Sequence, residues 1–376
     1  MKGGELVRVT STPLASIFGS GFLIIVPILA GAVGIWSVAA MAGVCSFAFA
    51  VGSVIRHNIR HVEPVLTDKP PEVTLSLERA SDLALVLAYV VSVCLYLHIL
   101  SGFILGGLGD DTPGHEDLLT SVVIAAIVAV GTTRGLQGLD VLEEWSLYIT
   151  LLIIVLLLAG FAFYDWTTWA SGAGFIAPEP RPHSAWEVLT IMAGTLIVVQ
   201  GFETTRYLEE EFPAAARVQA SRWSQILASA VYLVFVAAAL PMLHTLEGDY
   251  TDNSLIRLAG TASSLLVAPL VVAAALSQFS AAVADTVAAA GDLEDITHEH
   301  LSVRWGSALV GGGALALTWS SSTFELVAIA SRAFAFYYLL QCLVALTVAR
   351  NTALKLGISA VALVLVFITL FAVPAG

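Results

Sequence analysis

The stretch Ser16-Ile17-Phe18-Gly19-Ser20-Gly21-Phe22-Leu23-Ile24-Ile25-Val26-Pro27 decides how this chain is read. It is apolar at both ends and carries two glycines around a serine. Glycine is costly inside a helix, because it loses the most backbone entropy and packs nothing. In a membrane the cost grows, since a broken helix strands N–H and C=O groups that lipid cannot pair. A break at mid-membrane depth therefore lines a protein-enclosed cavity or binds something. A second stretch, Val199-Gln200-Gly201-Phe202-Glu203, carries another glycine break.

The 376 residues are 58% hydrophobic and 12% charged, with a mean hydropathy of +0.88. Soluble domains carry roughly twice that charged fraction. Apolar runs of about 20 residues recur along most of the length, as membrane-spanning helices need. They lack strict two-residue alternation, which argues against an outer-membrane barrel. The expectation is one all-α, polytopic membrane domain over residues 1–376. The net charge of −13 arises largely from acids read as solvated loop residues, such as Asp110-Asp111, Glu209-Glu210-Glu211 and Glu294-Asp295. No basic patch exists, so nucleic acid is not an expected partner. The expected partners are the lipid bilayer and a small-molecule substrate; oligomeric state is not legible. Cys45, Cys94 and Cys342 lie in apolar segments without metal or disulfide spacing, and read as buried packing residues. The polar start, Met1 to Thr12, reads as a short cytoplasmic tail rather than a cleavable signal.

About eleven spans are expected. They run over residues 14–35, 36–55, 81–107, 118–133, 145–164, 186–208, 223–244, 263–290, 303–319, 324–349 and 354–373. Residues 56–79 read as a polar connection. Basic residues set the orientation. Lys2, Arg8, Arg56, Arg60, Lys69, Arg79, Arg134, Arg217, Arg222, Arg304, Arg350 and Lys355 all fall on one side. The other side holds only Arg181 and Arg257 beside several acids. The N-terminus is therefore expected in the cytoplasm and the C-terminus outside. The first and sixth spans then run in opposite directions, as an inverted repeat of five plus five helices requires. Repeat one would cover about 14–164, repeat two about 186–349, and an accessory helix about 354–373. Both breaks fall in the first helix of a repeat, which is how the substrate site of a secondary transporter announces itself.

These motifs resemble the amino acid–polyamine–organocation (APC) superfamily of transporters. Members carry a first-span pattern like Gly-Ser-Gly-Ile-Phe followed by proline, and here Gly19-Ser20-Gly21-Phe22-Leu23 precedes Pro27. Their sixth span often reads Gly-Phe-Glu with a Glu-Glu pair and a proline beyond. Here Gly201-Phe202-Glu203 precedes Glu209-Glu210-Glu211-Phe212-Pro213. Ser277-Gln278-Phe279-Ser280-Ala281-Ala282 looks like the family's serine-bearing eighth span. The resemblance covers roughly Leu14 to Ala349 and implies the LeuT-type fold. The chain departs from it in lacking a twelfth span, in Arg206 close after Glu203, and in having no lysine in the fifth span.

Candidate site residues follow. The freed N–H groups at Gly19, Ser20 and Gly21 could hold a carboxylate, with close helix packing as the competing reading. The same holds at Gln200 and Gly201, with Phe202 as a gate or a packing residue. Glu203 is costly in the membrane unless paired, hydrated or protonated. It reads as a proton carrier or as the partner of Arg206, three residues on. Ser277 and Ser280 share a helix face. In sodium-coupled relatives the first and eighth helices build the sodium site, so these serines imply a metal site for a coupling sodium ion. No other cofactor is expected. Asp285 reads as a coupling group or vestibule residue. Tyr96 reads as a substrate contact, and His98 as a coupling group or a packing histidine. Arg332 calls for a carboxylate, Glu325 or Asp285. Phe334, Phe336, Tyr337 and Tyr338 read as packing.

The resulting expectation is a symporter-type secondary carrier of an amino acid or related solute in a bacterial inner membrane. It would work by alternating access, with sodium or protons as the driver. A passive channel or inorganic-ion carrier is the rival. The phosphate loop of ATP-driven pumps and the metal-binding HExxH of membrane proteases are absent, so no enzyme activity is expected.

Overall fold

The structure, a computed structural model, describes residues 3–68, 70–110, 112–136, 140–172 and 174–375; the side chains of 3–7, 20, 113 and 140–144 lie outside that description. Among the described residues the chain is helical throughout, without strands. The first half holds α1 (Gly3–Gly21), α2 (Ile25–Val33), α3 (Ser37–His61), α4 (Glu63–Thr67), α5 (Glu72–Leu108), α6 (Pro113–Thr133) and α7 (Asp140–Ala170). The second holds α8 (Ala185–Ala193), α9 (Ala214–Ala239), α10 (Ser254–Ala262), α11 (Val267–Ile296), α12 (Val303–Thr318), α13 (Thr323–Val348) and α14 (Thr352–Phe371).

Both expected interruptions are present. Phe22, Leu23 and Ile24 form a turn between α1 and α2, immediately after Gly21. The later segment is more broken than one glycine foretells. After the nine residues of α8 come two 3-10 turns, Leu196–Val199 and Phe202–Arg206, with Gln200 and Gly201 non-helical between them. Gly201 has φ +126°, which favours glycine.

Several boundaries differ from the expectation. The start read as a tail is helical from Gly3. The connection read over 56–79 is mostly helix, because α3 continues to His61 and α5 begins at Glu72. Pro70 and Pro71 stand between α4 and α5, where proline resists helix at the preceding residue yet suits a helix start. α10 was not anticipated; at nine residues it is too short to span. Eight described segments, not eleven, are long and apolar enough to cross a membrane. That set runs α2 together with α3, and leaves out α1, the second broken segment and the 16-residue α12.

α5 sits at the centre. Its apolar window is 83% buried, against 22% for that of α14. It packs chiefly on α11 and α13. A helix apolar on all sides belongs inside a bundle. The outer helices turn Leu and Val outward, as Leu152 and Val155 of α7 and Leu363 of α14 do, which suits a lipid surface. Lipid tails supply no hydrophobic drive between helices, so association rests on close packing and hydrogen bonds.

A close backbone approach joins the two breaks. A Cβ built on Gly21 would stand 2.6 Å from Val198 Cα, and one on Gly201 would stand 2.6 Å from Ile17 N. Backbone meets backbone at both places, so neither neighbour can swing aside. Gly21→Ala is therefore expected to destabilise the purified protein by about 1–3 kcal/mol through overpacking. Gly43→Ala, where nothing lies within 4 Å, should be neutral or slightly stabilising in the same thermal melts. Equal melting temperatures for the two variants would remove the close approach as a constraint.

Candidate functional site

A break strands backbone groups, and three neighbouring helices answer them. Tyr232 of α9 places its hydroxyl 3.0 Å from Ile17 O and 2.8 Å from Val198 O, touching both broken segments at once. Ser331 of α13 donates to Gly194 O at 2.6 Å and accepts from Ile197 N–H at 3.1 Å. Gln278 of α11 donates to Gly19 O at 2.8 Å. All three side chains are buried. None was singled out from the sequence. A polar side chain inside an otherwise apolar span is the signal that could have found them.

Glu203 is fully buried and closes the second break. Its Oε2 accepts from Gly201 N–H at 3.0 Å and from the Tyr338 hydroxyl at 2.6 Å. Its Oε1 accepts from the Gln200 amide. Phe202 stacks on Tyr338 with ring centroids 5.3 Å apart. The pairing of Glu203 with Arg206 is not formed. Arg206 turns to Glu78 on α5, and Gln341 donates to the other oxygen of Glu78 at 3.2 Å. The 3-10 turn of residues 202–206 still aligns positions three apart, but Glu203 folds back onto the break, where three donors meet its carboxylate.

Arg332 also departs from its expected partners. Its Nε donates to Ala372 O at 2.7 Å, at the end of α14. Carbonyls at a helix C-terminus lack intrahelical partners and attract cations. Glu325 instead caps its own helix through Ser322, and Asp285 accepts from Ser92.

A cavity of about 410 Å³ lies between α1, α5, the 202–206 turn and α11. It reaches from Ser277 and Ser280 past Asp285 to Asp292 and Asp295, near the end of α11. Tyr96 lines it, with Tyr89 and Tyr207. Ser277 and Ser280 are only 4% and 5% exposed. Neither hydroxyl hydrogen-bonds a described residue, whereas Thr286 on the same helix back-bonds to Ala282 O at 2.7 Å. Gly19 and Ser277 face each other across α1 and α11. The side chain of Ser20 lies outside the described residues.

His98 joins a different place. Its Nδ1 is 3.4 Å from Glu116 Oε1, and it lines a second cavity with Asp252 and Arg181. Tyr96 and His98, two apart on α5, thus serve different cavities. Gly19, Gly21, Gln200, Gly201, Phe202 and Glu203 form the packed core between the breaks rather than the wall of the first cavity. Cys45, Cys94 and Cys342 are buried free thiols, as expected.

An APC superfamily transporter family matches residues 1–372. An uncharacterized protein of Aquifex aeolicus (strain VF5) is 36% identical over 375 residues, covering 98% of this chain and 91% of that protein. Among solved structures, a manganese transporter of Eremococcus coleocola superposes with a TM-score of 0.58 at 11% identity, over 97% of this chain and 85% of that one. Mhp1, a nucleobase-cation-symport-1 family transporter, gives 0.53 at 14% identity, over 89% and 77%. At such identities the structures show the fold alone, which is LeuT-like.

The Arg206–Glu78 pair is testable. Breaking a largely buried pair from one side leaves an uncompensated charge, at a cost of about 3–5 kcal/mol. Glu78→Leu should lower stability by that order in thermal melts of purified protein. The double variant with Arg206→Leu should recover part of the loss. A double variant less stable than either single one would mean that the pair is not the source of the effect.

Proposed function

The chain belongs to the APC superfamily of transporters, and from that premise we propose that it is a secondary active transporter of a small organic solute, coupled to sodium or protons. Family and fold point to a transporter rather than an enzyme. The proposed setting is a bacterial inner membrane, with the N-terminus cytoplasmic and the C-terminus periplasmic. The proposed architecture is five plus five helices in inverted repeats, with α14 as accessory and the broken segments counted as spans one and six.

The observation that carries the reading is the meeting of the two broken segments beside the cavity. Interrupted helices that border an internal cavity are the working parts of alternating-access carriers. The cavity opens towards the end of the molecule that holds Asp292 and Asp295. Basic-residue bias assigns that end to the cytoplasm, so the described state reads as inward-facing. The cavity's volume falls in the range of small-molecule sites, roughly 300–1,000 Å³. An inorganic cargo has less support. Among the described residues, no three His, Cys, Asp or Glu side chains come together as a metal site.

For coupling, Ser277 and Ser280 favour sodium, and Asp285 favours protons. Uptake into proteoliposomes separates the two. If sodium drives uptake, Ser280→Ala should raise the half-saturating sodium concentration by about tenfold or more, as the loss of one ligand at a cost of about 1.4 kcal/mol requires. If protons drive it, uptake should ignore sodium, rise at acidic external pH and fail in Asp285→Asn or Glu203→Gln, since a carboxamide exchanges no proton. Flux that never exceeds equilibrium under either gradient would mark a passive facilitator and overturn the reading.

A further inference from the structure

We propose that Arg56, Arg60 and Arg222, at the junction of α3 and α9, bind the phosphate headgroup of an anionic phospholipid. The site is separate from both cavities and independent of cargo and coupling ion. Three observations carry it.

The first is a buried positive charge held only by neutral groups. Arg56, near the end of α3, is 8% exposed. Its Nη1 donates to the Gln225 amide oxygen and, at 3.4 Å, to Ser221 Oγ, both on α9. Its Nη2 donates to Phe49 O at 3.2 Å and to Ser53 Oγ at 3.5 Å. The guanidinium also lies 4.6 Å from the centroid of the Phe49 ring. These contacts fix the planar group in place without neutralising it. A buried charge without a counter-ion is costly.

The second is the company Arg56 keeps. Arg60, one turn further along α3, and Arg222, next to Ser221 on α9, both act on it electrostatically, and both are positive. Both are exposed. Among the described residues, none of the three arginines forms an ion pair. The carboxylates nearest in sequence are engaged elsewhere. Glu63 accepts from both terminal nitrogens of Arg217, at 3.0 and 2.7 Å, and Glu211 meets Arg8. The fold thus gathers three guanidiniums that the sequence keeps apart, in a chain whose net charge is −13. Guanidinium groups match phosphate oxygens, which accept paired N–H bonds.

The third is depth, and it selects a lipid over a soluble anion. Trp36, exposed immediately before α3, stands twenty residues from Arg56. At about 1.5 Å per residue that distance is about 30 Å, the thickness of a hydrocarbon core. Tryptophan favours the membrane–water boundary, so Arg56 reaches the opposite boundary. Trp223, beside Arg222, is 52% exposed, and Ile226 and Leu227, about one turn on, are exposed and apolar. Basic-residue bias places this boundary on the cytoplasmic side, where basic pockets between spans take anionic headgroups. A headgroup phosphate there supplies the counter-ion that the chain itself does not.

Thermal melts of the purified full chain in mixed micelles test the site, at fixed pH and ionic strength. Phosphatidylglycerol should raise the melting temperature in a saturable way, and phosphatidylcholine should not. Glycerol 3-phosphate, the soluble headgroup chemistry without its acyl chains, should not do so at the same concentration. Arg60→Gln or Arg222→Gln should weaken the apparent affinity for phosphatidylglycerol by about tenfold or more. Both side chains are exposed, so either variant serves if the other fails to fold. Arg304→Gln, at an exposed arginine at the start of α12, should leave that affinity unchanged. An equal shift with phosphatidylcholine, or none with either lipid, overturns the proposal. Equal stabilisation by glycerol 3-phosphate replaces the lipid with a soluble anion and overturns it too. So does an affinity that Arg304→Gln lowers as much as the other variants do, since that marks unspecific attraction to charge.

Discussion

Unpaired backbone polarity inside a membrane is the constraint on which the rest of this structure depends. Two helices are broken where lipid could offer nothing to the freed groups. The chain answers by pressing the breaks together and surrounding them with buried hydroxyls and amides. Tyr232 is the centre of this arrangement, since its single hydroxyl lies within 3.0 Å of a carbonyl on each broken segment. The glycines make that contact geometrically available. At Gly21 and Gly201 any side chain would collide with opposing backbone. Glycine here serves close approach more than ligand access, so the competing packing reading of the motif gains most from the geometry.

The pattern of apolar runs carried most of the architecture, because membrane helices announce themselves by length. Positions of both breaks were legible for the same reason: glycine in an apolar run is conspicuous. The internal shape of the second break was not. Nothing in Ile197 or Val198 signals a 3-10 turn; those turns are set by where Ser331 and Glu203 reach the backbone. The missed residues share one character. Tyr232, Ser331 and Gln278 act on partners remote in sequence, between 34 and 259 residues away. A single sequence does not record such distances.

Charges followed the same logic. Sequence neighbours suggested Glu203 with Arg206, and helix neighbours suggested Arg332 with Glu325. In each case a better set of partners was available in three dimensions. Glu203 gains several donors at the break, and Arg206 gains a carboxylate that Gln341 also supports. Arg332 meets a helix-end carbonyl whose own helix cannot satisfy it. A buried ion selects the site that completes its hydrogen bonds, not the nearest opposite charge in sequence. Residues 56–79 were misread for a related reason. Polar content suggested a loop, yet Glu78 is needed inside the bundle as the partner of Arg206.

The two ends of the molecule are therefore unlike. Towards the cavity mouth lie carboxylates and tyrosine hydroxyls, with Tyr207 bonded to Asp292 at 3.2 Å. Beyond the breaks lies an aromatic contact of Phe22 and Phe161 around Phe235, with centroids 6.0 and 5.8 Å away. The first region holds charge beside the cavity and the second is an apolar seal, with the charged cavity of His98, Asp252 and Arg181 elsewhere in the molecule. Between them stands the contact of Gly21 with Val198. Under the transport reading, opening the opposite end must part the aromatic cluster while the clasp of Tyr232 keeps the breaks satisfied. That demand favours movement of α1 and the 196–206 segment as one unit, because separating them would pull the Tyr232 hydroxyl off one of the two carbonyls it bridges. The glycine contact is then a rigid joint within the moving part, and the apolar seal beyond it is the part that yields.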